Sequence, residues 1–484
     1  MTTATRQPAS YERLTAADTV FLRIETPHEP QHVGSLSVLE GAPVRDADGR
    51  IRFEELRSHV DRRLQAVPRL RQRVMEVPYG QGRPVWVDDD QFDIDYHVRL
   101  TALPRPGDDE QLAALMSRVQ ALALDRRRPL WEMWFVDGID GDRVGMIIKT
   151  HHALGDGIAN VDLALALVDL EPDPPTEREP EPWTPRPAPS PNELLAASVR
   201  DQLTRPGRMA QRAVNAARDP GSAISATWNV VRAVTEFAAK PNPAPWNVPV
   251  SPHRRWTHAS IPMEQVRHVR KRHGVKLNDV VLAACSGALR AFLIDHQPDR
   301  IGDDRGGSNT DPTIDLNELT AMVPVSLRKH DQHGETLGNL VSMMLVELPV
   351  DEPDPVERLL RVQATTSELK ADEGLVDGAH AVLDLADAFT PVAAPLTRFV
   401  SRSIPMNLVI TNVPGPPMPL YLCGARFERI YPYVEVIDNE GLTIAVVSYD
   451  DHLFFGLTGD RDVLADLDDL AAAIESSFTE LAAS

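Results

Sequence analysis

The spacing of apolar residues changes along the chain, and the changes mark its elements. His32–Leu39 alternates apolar and polar positions as a half-buried strand does. Phe53, Leu56, Val60 and Leu64 recur at helical spacing. Val85–Val87 and Ile94–Leu100 read as strands, and Leu112, Leu115, Val119 and Leu122 mark a second helix behind Asp108-Asp109-Glu110. Trp131–Val136 and Val144–Lys149 are apolar runs of strand length. The turn-rich Asp137–Asp142 between them predicts an antiparallel hairpin. Ile158, Val161, Leu165 and Val168 then return to helical spacing.

Proline breaks the pattern over 171–191, a stiff acidic linker. Residues 192–240 are helical again (Leu194, Leu195, Val199, Leu203; Ile224, Trp228, Val231, Phe237). Beyond 250 come a strand at Thr257–Ile261, a helix carrying Val266 and Val269, and Val280–Leu293, apolar nearly all round and so a buried helix. Asn278 or Asp279 stands where that helix needs an N-cap. Ala321–Arg328, Val341–Val350, Asn407–Val413, Leu442–Ser448 and Leu453–Thr458 read as strands, with helices at Pro355–Leu369 and Val463–Leu481. Strands and helices alternate without a repeated βαβ unit or a phosphate-binding glycine loop. The fold class is therefore α+β with mixed sheets. The division is 1–170, a linker and helical crossover over 171–250, and 251–484.

The candidate chemistry lies where the hairpin meets the helix. Thr150-His151-His152-Ala153-Leu154-Gly155-Asp156-Gly157 reads HHxxxDG. An imidazole titrates near neutral pH and can serve as a general base. Asp156 can hold its tautomer or brace the turn, and Gly155 and Gly157 permit close backbone approach. A structural histidine pair or a metal site would use the same residues. Adjacent strand residues face opposite ways, however, and no HExxH motif or cysteine pair accompanies them. Metal ligands are accordingly expected to be none.

Composition narrows the classes. The chain has 484 residues, 42% of them hydrophobic, and no uninterrupted apolar run of bilayer length. A net charge of −21 argues against nucleic acid as a partner. Residues 191–240 carry seven basic and four acidic side chains, a local +3, which fits either a packed crossover or a lipid-facing amphipathic surface. Cys285 and Cys423 have no metal-type neighbours, and the N-terminus lacks a signal core, so a cytoplasmic protein with reduced thiols is expected.

The chain resembles the bacterial wax ester synthase/diacylglycerol acyltransferase family over nearly its whole length. The resemblance rests on Leu14–Asp18 with Phe21–Thr26, His32-Val33-Gly34, Pro129-Leu130-Trp131, His151–Gly157, Asn278-Asp279, Val323–Arg328 and Asn412–Pro416, in that order. HHxxxDG by itself also fits condensation domains and chloramphenicol acetyltransferase-like enzymes. The resemblance implies two chloramphenicol acetyltransferase-like domains with the active site between them. It implies long-chain acyl transfer from acyl-coenzyme A, a co-substrate, to diacylglycerol or a long-chain alcohol, with no further cofactor. His152 matches the catalytic base, His151 its supporting partner, and Asp156 and Gly157 the structural acid and glycine. Gly155 stands where the family carries a branched aliphatic residue. Asn278 is the candidate oxyanion donor, Trp131 a core residue or a substrate-lining tunnel wall, and Arg328 a contact for coenzyme A phosphates or a member of a structural ion pair. Packing of the basic crossover on the body is the default, and peripheral contact with the inner membrane face or lipid droplets is the alternative. A sugar or polyketide hydroxyl as acceptor, or a lipid-binding module without turnover, are the competing readings.

Overall fold

The fold is seen in a computed structural model that describes residues 11–155, 157–174, 182–201, 244–298, 316, 319–326, 341–371 and 406–484. The first half runs β1 (Glu12–Arg13), α1 (Ala16–Ile24), β2 (His32–Glu40), α2 (Phe53–Arg63), β3 (Gln72–Met75), β4 (Val85–Asp88), α3 (Ile94–His97), β5 (Val98–Ala102), α4 (Asp109–Ala121), β6 (Trp131–Ile139), β7 (Arg143–His151) and α5 (Gly157–Leu167). The second runs β8 (Arg254–Pro262), α6 (Met263–His273), α7 (Leu277–His296), β9 (Thr320–Ser326), β10 (Val341–Glu347), α8 (Pro355–Ala371), β11 (Leu408–Pro414), β12 (Tyr421–Leu422), β13 (Ala425–Val434), β14 (Leu442–Tyr449), β15 (His452–Asp460) and α9 (Leu467–Ala483).

Two six-stranded mixed sheets carry the fold, ordered β12-β13-β2-β7-β6-β5 and β10-β9-β11-β14-β15-β8. The β6–β7 hairpin forms as its turn residues predict, pairing Trp131 with Thr150. Helix α7 is the core of the second half: Val280–Leu289 is buried throughout, and the helix packs against α8 and α9. An 18-residue window of this 20-residue helix has a mean hydropathy of 1.5, enough by length and composition to cross a bilayer, although Asp279, Arg290 and Asp295 interrupt the apolar run. That hydropathy is spent on protein: 67% of the window is buried within the fold.

The first sheet draws on both halves of the sequence. The first sheet is completed by β12 and β13, which belong to 251–484 in sequence. β13 was not legible as a strand because charged residues and Pro432 interrupt it. The structure shows why the proline is tolerated. β12 pairs only with Ala425 and Arg426, so Pro432 has a strand neighbour, β2, on one side alone. β13 also lies over β14 and β15, binding the halves together. Gly456 of β15 permits the approach: a Cβ there would stand 1.7 Å from the Pro432 carbonyl oxygen. Trp256 of β8 donates its ring N–H to the same carbonyl, and its backbone N–H to Ser117 of α4.

Other expectations are corrected locally. Ile94–His97 is a helical turn capped by Asp93, and only Val98–Ala102 is strand. The N-cap of α7 is Lys276, not Asn278 or Asp279; Asp279 lies three residues on, where its carboxylate accepts the Lys276 backbone N–H at 2.9 Å and the Thr366 hydroxyl at 2.8 Å. Arg254 and Arg255, two adjacent basic residues at the start of β8, are committed to protein. Arg254 is buried and donates to the Ser251 and His28 carbonyls, and Arg255 pairs with Asp468. Residues 191–201 are helical as expected, and the rest of the crossover, 202–243, lies outside the described residues.

Candidate active site

The site begins with α1. Thr15 and Asp18 cap its start reciprocally, with Asp18 N–H to Thr15 Oγ1 at 3.1 Å and Thr15 N–H to Asp18 Oδ2 at 3.2 Å. Its far end carries Phe21 and delivers Glu25. Arg126 holds that end, donating to the Leu22 carbonyl at 2.7 Å and through Nε to Glu25 Oε2 at 2.8 Å. The Glu25 side chain is 8% exposed. Burial pushes its carboxyl up, but the His151 ring N–H facing it and the Arg126 guanidinium paired with it outweigh burial and hold it at about 2. Glu25 is therefore a carboxylate at neutral pH.

Strand β7 brings the histidines to α1. His151 is wholly buried and pairs in register with His32 of β2. Its Nδ1 accepts the Ala153 backbone N–H at 3.0 Å, so the ring proton sits on Nε2, 3.5 Å from Glu25 Oε1. Burial lowers its pKa, against the pull of Glu25, and His151 stays neutral. His32 is fixed in the other tautomer. Its Nδ1 faces the Gln120 carbonyl at 3.2 Å and its Nε2 accepts from Leu124 N–H at 3.4 Å. Lys149, also buried, donates to the Val119 carbonyl at 2.8 Å and to that of Leu122, closing the C-terminal end of α4.

His152 leaves the strand and starts one turn of 3₁₀ helix. Its backbone N–H donates to the Gln31 carbonyl at 2.8 Å. Its ring lies flat on Phe21, with centroids 3.8 Å apart and planes 9° from parallel. Unlike His151 it is only half-buried. The residues before β2 meet the second half here: Asp438 N–H donates to Glu29 at 2.8 Å, and Arg254 to the His28 carbonyl. Helix α5 reaches β11. The motif thus lies at the junction of the two halves.

The structure brings His151 and His152 together but not every candidate. Asn278 lies half-buried in the first turn of α7, and no hydrogen bond joins it to either histidine. Trp131 is a core residue, not a substrate-lining one. It is 2% exposed, its ring N–H is donated to the Leu70 carbonyl at 2.7 Å, and its face is stacked on His97. Gly157 is the first residue of α5. Asp156 and Arg328 lie outside the described residues. Gly155 has room for no larger residue, since a Cβ there would stand 2.5 Å from that of Ala159.

Phe21, Glu25, His32 and Arg126 were not singled out as site residues. The first three stand within the opening segments that carried the family resemblance, which was the available signal. Periodicity assigns them only to a helix, its end and a strand.

Known proteins agree with this architecture. The wax ester synthase/diacylglycerol acyltransferase catalytic domain matches residues 14–281, and the C-terminal domain of the same family matches 337–482. The probable diacylglycerol O-acyltransferase tgs2 of Mycobacterium tuberculosis is 34% identical across 96% of this chain and 97% of its own. The probable diacylglycerol O-acyltransferase tgs1 of that organism is 32% identical across 97% and 96%. Among solved structures, the wax ester synthase/diacylglycerol acyltransferase from Marinobacter aquaeolei VT8 superposes with a TM-score of 0.67 at 26% identity, covering 97% of this chain and 98% of that one. A starter condensation domain of rhizomide synthetase, 13% identical with a TM-score of 0.58 over 98% and 95% of the two chains, shares the fold. With matches over both halves and capped, junctional histidines, the chain belongs to the wax ester synthase/diacylglycerol acyltransferase family.

Proposed function

We propose that the chain transfers a long-chain acyl group from acyl-coenzyme A to the free hydroxyl of diacylglycerol, and to long-chain alcohols as second acceptors. His152 acts as the general base. The observation that carries this reading is the division of labour within the histidine pair. His151 is buried, with one nitrogen on a backbone N–H and the other facing Glu25. His152 alone of the two is partly accessible, at the junction of the halves. Relatives named as diacylglycerol O-acyltransferases, similar over almost their entire length, support the acceptor.

The chemistry needs no covalent enzyme intermediate, because the thioester is already activated. His152 takes the hydroxyl proton as oxygen attacks the thioester carbon, a contribution of roughly 10²–10⁴ in rate. The tetrahedral oxyanion collapses, the C–S bond breaks, and the imidazolium returns its proton to the departing thiolate. An ester and free coenzyme A result. Asn278, at the positive end of α7, is the proposed donor to the oxyanion, a position in which one donor contributes about 3–4 kcal/mol.

The test is release of free thiol from palmitoyl-coenzyme A with diacylglycerol, with hexadecanol, or with no acceptor. Acceptor-dependent release with diacylglycerol is expected. Equal release in all three arms removes the transferase reading.

A further inference from the structure

The backbone of the histidine turn is well fixed, but the imidazole plane is not set by it. His152 N–H is bonded to the Gln31 carbonyl, and its own carbonyl accepts Gly155 N–H at 3.3 Å. Neither bond constrains χ2, a broad torsion with no sharp staggered wells. Acceptor attack, by contrast, requires the accepting nitrogen within hydrogen-bond reach of a hydroxyl and in line with it.

The phenyl ring of Phe21 constrains that plane directly. Its centroid is 3.8 Å from that of the imidazole and the planes differ by 9°, so rotation about χ2 would drive one ring into the other. Phe21 is itself presented by a helix held at both ends: by Thr15 with Asp18 at the start, and by Arg126 with Glu25 at the finish. Glu25, the residue that closes α1, also faces His151. One short helix thus faces both histidines through different side chains one turn apart.

We infer that Phe21 is a positioning residue for acyl transfer, holding the His152 imidazole in its reactive plane and favouring the imidazolium that forms as the acceptor hydroxyl is deprotonated. The inference rests on the reading of His152 as the base. The second effect follows from the ring quadrupole, whose negative face attracts a cation laid upon it. An aliphatic side chain of similar bulk preserves the packing and supplies neither the flat wall nor the quadrupole.

The experiment compares Phe21→Leu, Phe21→Met and Phe21→Tyr with wild type and His152→Ala in the thiol-release assay, across pH, with thermal unfolding of each. The ringless variants are expected to lose roughly tenfold in kcat. Their KM for palmitoyl-coenzyme A and diacylglycerol should stay within about twofold. The acidic limb of their kcat/KM profile is expected about half a pH unit lower. Phe21→Tyr, which keeps the ring face, should restore both kcat and the profile. Wild-type kcat and pH profile in a folded ringless variant overturn the inference, and so does a Tyr variant that falls as far as Leu. His152→Ala keeps the two readings separate. If it retains transfer, the base assignment falls; if it is inactive while Phe21→Leu is normal, only the role of Phe21 falls.

Discussion

The molecule uses one backbone device twice. In the first half, hairpin β6–β7 runs through a short turn into α5; in the second, β14–β15 runs through a short turn into α9. The turns carry opposite chemistry. In the first, buried His151 holds the turn from within while His152 is left half-accessible at the junction. In the second, buried Asp460 accepts the Ser251 N–H and hydroxyl and the Asp462 N–H, so its carboxylate is consumed in closing the turn. The hairpin therefore supplies position, and the residue at its end decides between an accessible side chain and a clasp.

The largest effect that separates the two turns is on rate. His152→Ala is expected to lower acceptor-dependent transfer by roughly 10²–10⁴, with the unfolding midpoint near wild type. A variant that loses its midpoint together with its rate would mean that His152, like Asp460, is structural.

The next contrast is in pH, between buried histidines and a buried carboxyl. His32, His59, His97 and His151 are all held below their ordinary 6.5, with burial the leading cause in each. Between their folded and unfolded values the unfolded chain binds more protons, so stability is lost as pH falls below 6.5. Glu435, at the end of the strand that the second half lends to the first, behaves the other way. Burial, and behind it the charge of Glu25, raises its carboxyl to about 8 against a backbone hydrogen bond that lowers it. From pH 4.5 to about 8 the folded chain keeps a proton that the unfolded chain has released, so stability falls as pH rises through that window. Glu435→Gln has no such proton to lose. Its advantage over wild type should grow by on the order of several kcal/mol between the two ends of the window. Urea unfolding at each end measures this, and a difference independent of pH would refute it.

Asp460→Ala is the structural counterpart of His152→Ala. It removes the acceptor of part-buried donors from Ser251 and Asp462, each lost hydrogen bond costing about 0.5–1.5 kcal/mol. A lower unfolding midpoint is expected, with kcat of the folded fraction within about twofold of wild type. A large fall in kcat at an unchanged midpoint would assign this turn a part in the chemistry.

How much of this was legible follows the range of the interactions. Local pattern is enough for the hairpins, because turn residues and apolar runs lie side by side in sequence. It is enough for α7, whose unbroken apolar surface needs protein on all sides. It fails at β13, where Pro432 and the charges around it hide a strand that β2 accepts from one side. It fails at Glu25 and Phe21, which stand more than a hundred residues before the histidines they face. It leaves Trp131 open between core and tunnel wall, since an aromatic beside the histidine motif looks the same whether it lines a cleft or, as here, donates to Leu70 inside the core.

The finest distinction between the two hairpins lies in a glycine that each unit contains. Gly155, just past the end of β7, has an extended backbone at φ 164 that any residue adopts, so an added methyl meets only a steric cost. That cost comes from one atom, Ala159 Cβ, at 2.5 Å. Gly155→Ala should therefore cost about 1–3 kcal/mol and lower kcat severalfold as the turn and the start of α5 move apart. Adding Ala159→Gly should recover much of it, less the helix penalty of about 1 kcal/mol that glycine brings. Gly456 of β15 meets a backbone oxygen instead, that of Pro432 at 1.7 Å. No side-chain truncation can relieve that contact, and Gly456→Ala should separate β13 from the second sheet without rescue. The double-mutant cycle measures whether the first clash is local. Additive losses for Gly155→Ala and Ala159→Gly would show that the histidine turn is held by its backbone, as the other hairpin is, and would break the contrast between them.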